Sequence, residues 1–141
     1  MNGKELVMAA LRRESVPRVP WVPFVGVHGG FLIGVPANEF LQSADLIVRG
    51  QTAAAEHYRP DGLPVVFDLQ VEAEALGCRL AWAADVPPSV VSHPLESCAA
   101  ANGLPALDFT AGRFPVIREA TRRMAESLGE RVALYGLITG P

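Results

Sequence analysis

Apolar positions along the chain alternate between two spacings. Residues 21–26, 63–67 and 131–138 are apolar almost without a break. Runs of that kind fit strands covered on both faces, as in a parallel sheet. Pro23 cannot donate to a ladder, which points to a strand end or edge within the first run. Between the runs the spacing is helical. Residues 4–13 carry a narrow stripe of Leu6, Val7, Ala10 and Leu11. Ser43 is placed to cap a helix reaching Tyr58, with Asp45 in its first turn and Leu46, Ile47, Gly50, Ala53, Ala54 and His57 on one side. From Pro115 onward, Ile117, Ala120, Thr121, Met124 and Leu128 follow the strongest helical rhythm in the chain, and Gly129 sits where a cap belongs.

Turn chemistry separates these elements. Prolines 17 and 20 end the first helix, because each disfavours helical geometry in the residue before it. Residues 27–30 read as a turn through the paired glycines, and Pro36 suits the opening of a short helix. Residues 59–62 read as a turn in which Pro60 presets one dihedral and Gly62 takes a positive one. Residues 70–76 favour a helix stopped by Gly77; 78–83 and 89–92 read as a short hairpin-like excursion, and 93–112 as a long connection. The order, strands alternating with helices, predicts βαβ units and a parallel sheet. Three strands do not close a barrel, which takes about 250 residues, and an open α/β layer fits the same order.

Composition narrows the class. Of 141 residues, 50% are hydrophobic and 19% charged, with a mean hydropathy of +0.23 and a net charge of −3. That balance suits extensive burial and gives no reason to expect a nucleic-acid partner. Arg113, Arg118, Arg122 and Arg123 cluster, but Glu119 and Glu126 interleave with them, so a solvated helix face is expected. Cys78 and Cys98 stand apart in no metal or redox pattern, which favours a reducing compartment. No stretch reads as a signal peptide or a membrane span, and the expectation is a cytoplasmic protein of one domain, residues 1–141.

Local motifs choose among the α/β folds. Arg18-Val-Pro20-Trp21, the Gly29-Gly-Phe-Leu32 turn, Phe67-Asp68 with Glu72-Ala-Glu-Ala-Leu-Gly77, and Tyr135-Gly-Leu-Ile-Thr-Gly-Pro141 stand in the order met in the uroporphyrinogen decarboxylase superfamily, which the whole chain resembles. The resemblance implies the N-terminal portion of a (β/α)8 TIM barrel, incomplete as it stands, with a cleft at the carboxyl ends of the strands. It corresponds to somewhat less than half of a family member.

Decarboxylases of that family carry an Arg-Gln-Ala-Gly-Arg-Tyr stretch after the first strand, whose guanidiniums clamp substrate carboxylates. Here that stretch is Gly26-Val-His-Gly-Gly-Phe31, and both arginines are gone. Residues 72–77 look more like the methylcobamide-dependent methyltransferase branch, which moves a methyl group from a corrinoid protein to a thiol. In that branch a zinc-activated thiolate is the nucleophile, and the resemblance places the zinc ligands beyond residue 141. No metal ligand and no tightly held cofactor is expected within the chain.

By the same resemblance Asp68, at the tip of the second strand, is the candidate catalytic residue, with a plain helix cap as its other reading. His28, Gly29, Gly30, Phe31 and Glu72 are the candidate substrate contacts, His28 being equally readable as a loop residue bonded to backbone. Glu72 and Glu74 are two apart and point to different sides of a helix, so at most one faces the cleft. His57, His93, Trp21, Trp82 and both cysteines read as structural. The expected function is therefore corrinoid-linked methyl transfer. The alternatives are uroporphyrinogen decarboxylation, or a polypeptide inactive alone that pairs with itself or with a complementary half-barrel.

Overall fold

The computed structural model describes residues 1–95, 97–104 and 106–139; the Gly140 and Pro141 of the last motif lie outside them. In chain order the elements are α1 (Gly3–Leu11), α2 (His28–Leu32), α3 (Ala37–Phe40), α4 (Ala44–Tyr58), β1 (Gly62–Pro64), α5 (Val71–Ala75), β2 (Arg79–Ala81), β3 (Ser89–Ser92), a 3-10 turn (Cys98–Gly103), α6 (Phe114–Leu128) and β4 (Ala133–Tyr135).

The sheet is parallel. β1 and β4 pair with Gly62 opposite Ala133 and Pro64 opposite Tyr135. Hydrogen bonds from Ala133 N to Asp61 O (2.9 Å) and from Val65 N to Tyr135 O (3.0 Å) extend the ladder at both ends. The run at 21–26 lies along the other side of β1 but is not a laddered strand, contrary to the sequence reading. One backbone bond joins it there, from Asp61 N to Trp21 O. Backbone groups of alternate residues face the same neighbour, so Pro23 follows Trp21 on the β1 side and has no N–H to give. A side chain fills in. Asp61 accepts Trp21 N–H (2.7 Å) and both ends of the Arg18 fork (2.6 and 2.7 Å). Because Phe24 meets Phe67 (ring centroids 4.8 Å apart), the segment runs parallel to β1 as well. Three adjacent parallel staves backed by helices form the opening part of a (β/α)8 barrel, and three staves do not close a ring.

The core lies between the sheet and its helices. Phe40, Leu41, Ile47, Leu63, Met124 and Leu128 are fully buried there. α1 is closed by a capping box in which Asn2 and Glu5 satisfy each other's backbone N–H groups. Its buried residues are Leu6 and Ala9; Leu11, read as part of the stripe, is exposed. α4 begins at the Ser43 cap as read. Its buried face is turned slightly from the expected one, however: Ile47, Gly50, Gln51, Ala54 and Ala55 lie inside and His57 outside. α6 buries Ala120, Met124 and Leu128. The excursion is the antiparallel hairpin β2–β3.

Two turn readings change. Residues 28–30 open a short helix instead of making a turn. In the 59–62 corner the positive φ (50°) belongs to Arg59 and not to Gly62. Glycine at 62 answers a different need, since a Cβ there would meet Ala133 O at 3.1 Å. Among the described residues no helix is long and apolar enough to cross a membrane.

Candidate functional site

The carboxyl ends of the three staves deliver Gly26 and His28, then Phe67 and Asp68, then Ile138 and Thr139 to one end of the sheet. The side chains found there form two clusters.

The first is built on Asp68. Its side chain has no exposed surface, and its two oxygens are both engaged. Oδ1 accepts Gln70 N–H at 2.9 Å, which is the cap reading, and Oδ2 accepts Arg113 Nη1 at 2.5 Å. Arg113 also donates through Nε to Glu74 Oε2 (2.7 Å), and its guanidinium lies over the Trp82 ring, 4.8 Å from the centroid. The arginine is 4% exposed. It therefore leaves the solvated arginine face on which the sequence placed it, whereas Arg122 stays on that face with Glu119 and Glu126. Two carboxylates share one guanidinium, with Asp68 and Arg113 buried and Glu74 partly open to solvent.

Glu72 and Glu74 diverge as expected from their spacing. Glu74 turns inward to Arg113, while Glu72 reaches the third stave, where Thr139 N and Oγ1 approach its carboxylate at 3.4 Å. Tyr135 puts its hydroxyl into a buried position, where desolvation pushes the phenol above its ordinary pKa near 10.

The second cluster is α2. Gly29 and Gly30 are buried because α4 and Phe40 approach too closely for any side chain: a Cβ at 30 would lie 2.9 Å from Val35 O and 3.0 Å from the Phe40 ring. That contact turns His28 and Phe31 outward. The His28 ring stacks on Phe31 (5.6 Å) and its Nε2 lies 2.7 Å from Tyr58 Oη. Both line an open cavity of about 510 Å³ whose wall also includes Val27, Val35, Ala84 and Asp85. Among the described residues no lysine or arginine lines it. Ala84 is held there by the N–H of Ala37, which donates to its carbonyl at 2.6 Å. Gly29 and Gly30 face away from this cavity, toward Phe40 and Gly50.

The sequence candidates thus fall in three places: His28 and Phe31 share a cavity, Asp68 lies in the ionic cluster, and Glu72 on α5 reaches the end of the third stave. Arg113 and Trp82 are companions of Asp68 that the sequence did not single out, and Glu74 is the one of the two spaced glutamates that turns inward. Among the described residues no three His, Cys, Asp or Glu side chains converge in a way that could hold a metal.

A parallel α/β layer with a carboxylate at the tip of its second stave defines a barrel of the kind that works at its strand ends. The family model for uroporphyrinogen decarboxylase (URO-D) matches residues 2–141, and the chain belongs to that family. It is 28% identical to the methylcobamide:CoM methyltransferase MtbA of Methanosarcina acetivorans, over 98% of this chain and 42% of the relative. It is 31% identical to the uroporphyrinogen decarboxylase of Thermobifida fusca, over 95% of this chain and 38% of the relative. A solved methyltransferase from Methanosarcina mazei superposes with a TM-score of 0.87 at 28% identity, covering all of this chain and 43% of that one. The chain spans about two fifths of the length of these relatives.

Proposed function

We propose that this chain contributes the first staves of a corrinoid-linked methyltransferase-like member of the family, one that moves a methyl group from a corrinoid protein to a thiol. The observation that carries the reading is the cavity beside α2. A tetrapyrrole bearing several ionised carboxylates needs cationic donors, and guanidinium forks suit it best. The wall here offers His28, Phe31 and Asp85, an aromatic and weakly acidic lining that repels a polyanion and accepts a neutral or apolar group.

Asp68 remains the proposed catalytic residue at the strand tip, with His28, Phe31 and Glu72 as the proposed substrate contacts; Gly29 and Gly30, packed against Phe40 and Gly50, serve instead to turn His28 and Phe31 outward. Zinc, where the whole protein uses it, would activate the thiol through ligands outside this chain. Decarboxylation is the second reading, supported by the Thermobifida fusca relative and by the match of Asp68. Acting alone, the chain is expected to turn over negligibly, and a complementary half-barrel or a second copy is its proposed partner.

Equilibrium dialysis against uroporphyrin separates the two reactions. No measurable binding is expected for the native chain. Introducing arginines at Val27 and Phe31, both on the cavity wall, should create salt-sensitive binding. Salt-sensitive binding by the native chain, or release of carbon dioxide from uroporphyrinogen, defeats the methyl-transfer reading. Appearance of an S-methyl thioether from methylcobalamin and a small thiol supports it.

A further inference from the structure

We propose that Arg113 is a positioning residue that ties the strand-tip carboxylate Asp68 to the wall of the His28–Phe31 cavity, so that one guanidinium sets the geometry of both clusters. The inference rests on reading Asp68 and that cavity as parts of one site.

Three parts of the Arg113 head group are assigned to three different elements. Nη1 holds Asp68 at the end of the second stave, Nε holds Glu74 on α5, and the flat face covers Trp82 just after β2. Its own backbone caps the start of α6, so four separate parts of the chain meet at one guanidinium. A planar fork is required for this; an ammonium could satisfy one carboxylate but could not span two and also lie flat on an indole.

Stability alone does not call for such a cluster. Desolvating three charges costs more than a well-packed apolar group of the same volume would. The cluster is also imperfect as a structural device, since Arg113 Nη2 is buried without a partner among the described residues. What the arrangement does supply is a direct mechanical path. Trp82 stands two residues before Ala84, whose carbonyl is fixed by Ala37 N–H, and Ala84 and Asp85 face His28 and Phe31 across the cavity. Moving Arg113 moves Trp82, and with it the cavity wall.

The test uses a Trp21→Phe background, in which Trp82 is the sole tryptophan. Arg113→Met, Arg113→Lys and Asp68→Asn are each compared by far-ultraviolet circular dichroism, Trp82 emission and acrylamide quenching. Loss of the covering guanidinium is expected to raise the quenching constant about threefold in Arg113→Met, with little recovery in Arg113→Lys. Asp68→Asn, which touches Trp82 nowhere, is expected to raise it as well by freeing Nη1. If the Met variant does not fold, the Lys and Asn variants carry the test. Folded Lys and Asn variants with native Trp82 emission and quenching overturn the proposal, as does collapse of all three, which would mark a purely structural role. None of these readings involves turnover. Coupling between Asp68 and Trp82 in a protein that takes uroporphyrinogen would therefore sink the methyl-transfer reading and leave this one standing.

Discussion

Gly50→Ala sets two opposing effects against each other, and the geometry decides between them. In an exposed helix the change would stabilise by about 1 kcal/mol, because alanine loses less backbone freedom than glycine. Here a Cβ at position 50 would lie 2.5 Å from the carbonyl oxygen of Gly29, 2.7 Å from its carbon and 2.6 Å from Phe40 Cε2. Comfortable carbon contacts are about 3.5–4.0 Å, so something must move by about 1 Å. Phe40 is fully buried, and the Gly29 atoms are backbone. Neither neighbour is the free end of a flexible side chain. Overpacking costs roughly 1–3 kcal/mol, and with two unyielding neighbours the upper part of that range, about 2–3 kcal/mol, applies. The net expectation is destabilisation of about 1–2 kcal/mol, or a fall in Tm of roughly 3–8 °C. Urea titration followed by circular dichroism measures it, with Gly103→Ala as control, since nothing lies within 4 Å of a Cβ there. Because α2 would be pushed off α4, the His28–Tyr58 contact should also weaken, visible as a shift of the His28 ring resonances. A Gly50→Ala protein as stable as the parent, or more so, refutes the close approach of the two helices.

Three further outcomes are expected. Arg113→Met leaves the Asp68 carboxylate buried and unpaired, at a cost of about 3–5 kcal/mol; adding Asp68→Asn should recover part of that loss, and strict additivity in the cycle would argue against the ion pair. Asp61 is held below the ordinary carboxylate range, chiefly by the hydrogen bonds from Arg18. A depressed folded value contributes stability that is present above the unfolded pKa of about 3.9 and fades as pH falls through the folded one. The stability gap between the native protein and Asp61→Asn should accordingly be constant near neutrality and shrink below about pH 4; a gap that widens on acidification would count against it. Asn2→Ala removes the capping box and the Nδ2 bond to Glu130 O, so thermal melts should show a loss of about 1 kcal/mol. A smaller loss than a surface substitution gives would exclude the cap.

What could be read from the sequence was what local chemistry determines. Ser43, Gly77 and the apolar ladder of α6 act within a few residues, and those elements stand where the spacing put them. Asp68 could be found because a strand tip and a family motif coincide. Arg113 could not: its burial is set by Asp68 and Glu74, 45 and 39 positions away, and in sequence it looks like its solvated neighbours. The same holds for Gly29 and Gly30. Paired glycines suggest a turn, whereas the real demand comes from Phe40 and Gly50, which only the packed helices reveal. The run at 21–26 was apolar enough to be a strand, but Pro23 fell on the side where its donor was needed.

That last detail bears on how the barrel is assembled. The first stave is hung from its neighbour by the side chain of Asp61, one carboxylate standing in for a row of rungs. A stave held at one point can shear without breaking a series of backbone bonds. A slip of one residue would exchange the directions in which Phe24 and Val25 face, driving an exposed aromatic toward the core and a core valine out of it. The register of the first stave is therefore governed less by the sheet than by a single acid and the arginine that grips it.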